Sequence, residues 1–141
     1  MNRNEARETL MQILYELDAS KAIRDGEAVE RGRSIIGDRM RGNHIARCTA
    51  LFEAIMETLD QIDEEINAHS TKWKTSRMPK VDLAIMRLAV GEMKYSEDVP
   101  HAVAINEAIN LAKKYSTDHS AKFVHGVLGT ISKIYTGDRH E

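Results

Sequence analysis

Apolar residues recur at helical spacing along almost the whole chain, and no stretch alternates with the two-residue period of a half-buried strand. The pattern opens with Ala6, Leu10, Ile13, Leu14 and Leu17, which share one face of a helix predicted over residues 4–19. A weaker segment over residues 27–41 carries Val29, Ile35, Ile36 and Met40. Its Gly32 and Gly37 each weaken a helix interior by about 1 kcal/mol relative to Ala. In the longest run Ile45, Cys48, Phe52, Ile55, Leu59, Ile62 and Ile66 alternate spacings of three and four, predicting one helix over residues 43–68. Glu53, Glu57, Asp60 and Glu64 fall on its opposite side. After a polar connector over residues 69–78, Pro79 opens a helix to residue 95 with Val81, Ile85, Leu88 and Ala89 inward.

Residues 100–128 read PHAVAINEAINLAKKYSTDHSAKFVHGVL and predict two further helices and the turn between them. Asp98 is a candidate cap for the first, whose stripe is Ile105, Ala108, Ile109 and Ala112. Short polar residues over 116–120 interrupt the pattern, and Val124, Val127, Leu128, Ile131 and Ile134 resume it. The prediction is an all-α fold, a compact bundle of six to seven helices, forming a single domain over residues 1–141. A chain of this length builds a hydrophobic core without disulfide or metal support.

Charge refines this picture. The net charge of −2 argues against a generally nucleic-acid-binding surface, yet the charges are patchy. Residues 1–47 hold nine Lys or Arg against eight acids, and residues 53–65 hold six acids and no base. Residues 70–81 then hold Lys72, Lys74, Arg77 and Lys80 with no acid. No run of about 18 apolar residues offers a membrane span. The polar start MNRNEARETLMQ lacks the apolar core of a secretory signal, so a cytoplasmic location is expected. The lone Cys48 falls on an apolar stripe and reads as a small buried hydrophobe. The histidines at 44, 69, 101, 119, 125 and 140 include no i, i+4 pair, and no phosphate-binding glycine loop occurs. No metal, no cofactor and no catalysis are expected.

The candidate chemistry is recognition. Taking Arg3 as the origin, Arg7, Met11 and Tyr15 follow at about 40°, 80° and 120°, a line along one edge of the first apolar stripe. Guanidiniums beside a phenol ring suit single-stranded RNA, which needs phosphate pairing and a stacking face. The alternative is that both arginines pair with Glu5 or Glu8 while Tyr15 packs inward. Phe123 lies about 80° from the centre of the last stripe, beside Lys122 and Gly126, where it could stack on a base or simply pack at the core boundary.

Three ordered blocks carry a family resemblance: residues 6–15 (AREtlmQiLY), residues 81–93 (VDLAIMRLAVGEM), and the VAINEAINLAK and KFVHGVL segments that follow Pro100. Together they resemble the NusB family of bacterial transcription antitermination factors. The resemblance implies two packed helical subdomains and a non-enzymatic role. That role is binding boxA-type single-stranded RNA together with NusE, a small-subunit ribosomal protein, within the RNA polymerase antitermination complex that reads through terminators in ribosomal RNA operons. It assigns Arg3, Arg7, Gln12, Tyr15, Lys122 and Phe123 to RNA, and Trp73, Lys80 and Asp82 to the partner face, where an acid would complement a basic protein. His125 stands where the family usually has Asn, and Asn2, Asn4 and Glu5 dilute its arginine-rich start. Two other readings stay open: a relative of the NusB-like domain of ribosomal RNA cytosine methyltransferases, and a protein-binding helical scaffold that self-associates as a homodimer.

Overall fold

The computed structural model describes residues 1–139, with side chains through residue 136. Those residues form seven helices and no strand: α1 (Arg3–Ala19), α2 (Ala28–Arg39), α3 (His44–Glu57), α4 (Leu59–His69), α5 (Lys80–Tyr95), α6 (His101–Tyr115) and α7 (Asp118–Arg139). A capping box starts α1. The Asn2 side chain accepts the Glu5 N–H at 2.9 Å, and the Glu5 carboxylate accepts the Asn2 N–H at 3.1 Å. At the start of α7 the Thr117 hydroxyl oxygen accepts the Ser120 N–H at 3.0 Å. Asp98 does not cap α6, whose N-cap position is Pro100 and which has no side-chain cap; the Asp98 carboxylate is drawn instead to two arginines.

The axis of the fold is α5, in which every residue from Asp82 to Met93 is buried. It packs on α1 and α3 on one side and on α4, α6 and α7 on the other, while α2 closes over α1 and α3. Gly32 explains how α2 does so. A Cβ there would sit 2.0 Å from the Phe52 ring, so the glycine that weakens α2 as an isolated helix is what admits the largest core side chain of α3. Arg87 on α5 ties the two sides together, bonding Asp63 of α4 at 2.7 and 2.8 Å and Asp18 of α1 at 3.1 Å.

Three expectations are corrected. The helix predicted over residues 43–68 is two helices with a bend at Thr58, whose hydroxyl donates to the Ala54 carbonyl at 2.8 Å while its N–H is shared between Ala54 and Ile55. Ile55, Leu59, Ile62 and Ile66 stay buried through the bend, which is why hydrophobic periodicity does not reveal it. In α6 the buried stripe is Ala104, Ala108, Leu111 and Ala112, rotated so that Ile105 and Ile109 are only half-buried. In α7 Ile134 is 43% exposed, and the inward place is taken by Tyr135, whose hydroxyl donates to Glu65 and whose ring lies 6.2 Å from that of His101. Burial, then the Glu65 carboxylate, holds that hydroxyl far above the usual tyrosine range.

Candidate nucleic-acid interface

The first candidate region is the start of α1. Arg3 is exposed, but its guanidinium pairs with Asp98 at 2.7 Å, and Arg47 of α3 reaches the same carboxylate at 3.2 Å. Arg7 does not lie on an accessible edge. Its side chain is 7% exposed and forms a two-pronged pair with Glu92 of α5, Nε to Oε1 at 2.7 Å and Nη2 to Oε2 at 2.9 Å, with Asn4 accepting a third bond at 2.6 Å. Burial alone would lower the Arg7 pKa, but the hydrogen bonds and charge of Glu92 outweigh it, so the guanidinium is raised above its ordinary value. Met11 is buried with it. The expected line of Arg3, Arg7, Met11 and Tyr15 therefore breaks after its first member, because α5 covers that side of α1. The alternative pairing is not formed either: the arginines pair with Asp98 and Glu92 rather than with Glu5 or Glu8, and Tyr15 is 39% exposed. Nearby Cys48 is buried, and burial followed by the Glu92 charge pushes its thiol up to about 11, which removes it as a nucleophile at neutral pH.

The second region joins the connector before α5 to the first turns of α7. Asn67 holds the connector in place, accepting the Thr75 N–H at 2.7 Å and donating to the Thr75 hydroxyl at 3.2 Å, while the Ser70 hydroxyl closes onto the Trp73 carbonyl. Trp73 and Phe123 meet edge to face, with centroids 5.2 Å apart and planes at 72°, and both rings are half-buried. The Lys72 ammonium lies 4.4 Å from the Trp73 centroid and touches His119 of α7. Lys72, Lys74, Arg77 and Lys122 are all exposed, and none has a carboxylate partner among the described residues. His125, one turn beyond Lys122, is exposed too.

A third region is an open groove of about 900 Å³ between α1, the start of α5 and the end of α6, lined by Gln12, Tyr15, Arg39, Lys80, Val81 and Tyr115 among others. Gln12 donates to the Tyr115 hydroxyl at 2.8 Å, and that hydroxyl donates in turn to Glu8, which Lys114 also pairs at 2.6 Å. Lys80 pairs with Asp18 at 3.2 Å. Asp82, expected on a partner face, is fully buried, and its two carboxylate oxygens make no hydrogen bond among the described residues. It stands in the first turn of α5, where a negative side chain meets the positive end of the helix, and it offers nothing to an approaching protein.

The model of the NusB family matches residues 4–133. The chain belongs to that family. The transcription antitermination protein NusB of Clostridium novyi (strain NT) is 38% identical over 133 residues, covering 94% of this chain and 99% of that protein. T. maritima NusB superposes with a TM-score of 0.84 at 30% identity, covering 94% and 92% of the two chains. A structure of antitermination factors NusB and NusE in complex with dsRNA superposes with a TM-score of 0.79, covering 94% and 97%; its 24% identity speaks for the fold.

On this NusB fold, the residues proposed from sequence fall into separate places. Lys122 and Phe123 stand with Trp73, Gln12 and Tyr15 share the groove with Lys80, and Arg3 is held by Asp98. Sequence reasoning missed Lys72, Tyr115, Arg47 and Glu92. For Lys72 a signal existed in the acid-free basic stretch around Trp73; for the other three, only the packing of distant helices brings them in. His140 lies outside the described residues. Among those described, no group of three His, Cys, Asp or Glu is placed to hold a metal, and no helix is long and apolar enough to cross a membrane.

Proposed function

We propose that this chain is a cytoplasmic, non-enzymatic transcription antitermination factor. It binds a boxA-type single-stranded RNA together with NusE and supports read-through by RNA polymerase, notably in ribosomal RNA operons. The observation that carries this reading is the small cluster of exposed lysines without carboxylate partners among the described residues, Lys72 against Trp73 and Lys122 beside Phe123, on a chain whose net charge is −2. Such a cluster attracts phosphates, and a half-buried ring beside it gives an unpaired base a face on which to stack. Arg3 adds a second phosphate contact once it exchanges Asp98 for RNA.

The groove suits the protein partner. Tyr15, Tyr115 and Val81 supply apolar surface, and Arg39 and Lys80 supply a charged rim. In this reading Gln12 and Tyr15, which line the groove, face the protein partner as well as serving the RNA, and Lys80 is the member of the expected partner set that lies in the groove.

Fluorescence anisotropy of a labelled boxA-type RNA, titrated with the chain with and without NusE at several salt concentrations, tests the reading. Salt-dependent binding that tightens with NusE is expected. Absence of RNA binding in both conditions would overturn it.

A further inference from the structure

The geometry points to Trp73 as a base-stacking residue of the RNA surface, forming with Phe123 a two-ring step for an unpaired nucleobase, flanked by Lys72 and Lys122 for the adjoining phosphates. This deepens the proposed function and rests on it. It moves Trp73 away from the partner face to which family resemblance alone assigns it.

Four observations support it. Trp73 does not line the groove: its ring partner is Phe123, 5.2 Å away across the junction of connector and α7. Trp73 is also only half-buried although it is the largest side chain in the molecule, so part of the indole faces solvent. Lys72 marks which part. An exposed ammonium 4.4 Å from the indole centroid occupies a face that is accessible and electron-rich, the surface a nucleobase also seeks. Finally, the connector is not slack, because Asn67 and Ser70 fix its backbone on both sides of Trp73, so the ring is presented rather than left to find its place.

An edge-to-face pair presents two differently tilted faces, one from each ring. A base entering beside Trp73 displaces the Lys72 ammonium, which needs only to swing on its flexible stem to meet the phosphate that arrives with the base. Lys122, adjacent to Phe123 in the chain, meets the next phosphate in the same way. His119, exposed and in contact with Lys72, belongs to the same edge of this step.

The test uses the fact that Trp73 is the chain's only tryptophan. A single-stranded boxA-type oligoribonucleotide is titrated into the full chain, with and without NusE, while anisotropy of the labelled RNA and intrinsic tryptophan fluorescence are both followed. Trp73→Phe serves as the blank for any tryptophan signal from NusE. Stacking predicts strong quenching of Trp73 with the midpoint of the anisotropy curve. It also predicts that Trp73→Leu weakens RNA binding about ten-fold, that Trp73→Phe recovers much of that loss, and that helical circular dichroism is retained in both. RNA binding with the Trp73 emission unchanged overturns the stacking role and leaves the RNA-binding function standing. Loss of NusE affinity in Trp73→Leu with RNA affinity retained also overturns it, returning Trp73 to the partner face. Absence of RNA binding by the wild-type chain in every condition overturns both.

Discussion

The start of α1 and the connector beside α7 both gather cations near aromatic or apolar surface, but their electrostatic states are opposite. At α1, Arg3 and Arg47 share Asp98, and Arg7 is locked to Glu92 in the core. At the connector and the start of α7, Lys72, Lys74, Arg77 and Lys122 have no carboxylate partner among the described residues, and Lys72 lies against the first of two rings that meet there. A phosphate approaching the connector meets cations with no carboxylate to displace, whereas one approaching α1 must displace a carboxylate. At Arg7 it would also have to strand Glu92 in the interior, where an unpaired charge is strongly disfavoured. Counting cations along the sequence therefore does not by itself separate the two regions. What separates an anion site from a structural ion pair is whether the fold has already supplied a partner.

The largest effect that can break this contrast lies at the buried pair. Arg7→Ala or Glu92→Ala should destabilise the fold by about 3–5 kcal/mol in urea titration, because each leaves the other charge buried alone. Replacing both together, Arg7→Met with Glu92→Leu, should recover most of that loss, and RNA affinity of the double variant equal to wild type would establish Arg7 as a joint between α1 and α5. Next in size, Phe123→Ala should weaken RNA binding by about 1–3 kcal/mol by anisotropy while helical content is kept.

A smaller change, Asp98→Asn, sharpens the comparison from the other side. It frees Arg3 and Arg47 at a stability loss within about 1 kcal/mol, since both pairs are exposed. The variant should bind RNA more tightly, with a salt-dependence slope steeper by roughly 0.7 for each new phosphate contact. An unchanged slope would mean that α1 takes no part in phosphate binding.

The smallest effect is in pH. Hydrogen bonds from Lys114 and Tyr115 hold the Glu8 carboxyl below its ordinary value of 4.5. As the pH falls, the unfolded chain takes up this proton first, so the contribution is full above the ordinary carboxylate range and declines as pH drops through it. Glu8→Gln should accordingly flatten the acid limb of a stability profile without altering stability differences between pH 6 and 8, a check that the α1 to α6 clasp is separate from both cationic regions.

Much of the fold is legible in the sequence because the strongest periodic stripes, in α1, α5 and the start of α7, coincide with faces that pack. The features that escape are those decided between elements. Thr58 bends a helix without disturbing its apolar seam, and Gly32 weakens α2 on paper but accommodates the Phe52 ring in space. Asp82 is assigned to a partner face by family resemblance, yet α5 is enclosed around nearly its whole circumference. At the candidate site, angular position along one helix places Tyr15 and Phe123 near solvent, but it carries no information about which distant residue neutralises a given arginine. Trp73 and Phe123 are 50 residues apart in sequence, and no local pattern announces that they meet.

The capping box at Asn2 and Glu5 also determines how the molecule would receive its ligand. Because that box, with the pair between Arg3 and Asp98, already fixes the backbone carrying Arg3, the ordering cost of about 1–2 kcal/mol per residue is borne by folding rather than by association. RNA would then dock on a preorganised surface, and its heat-capacity change would reflect the area covered, with no added contribution from a disordered arm folding on contact.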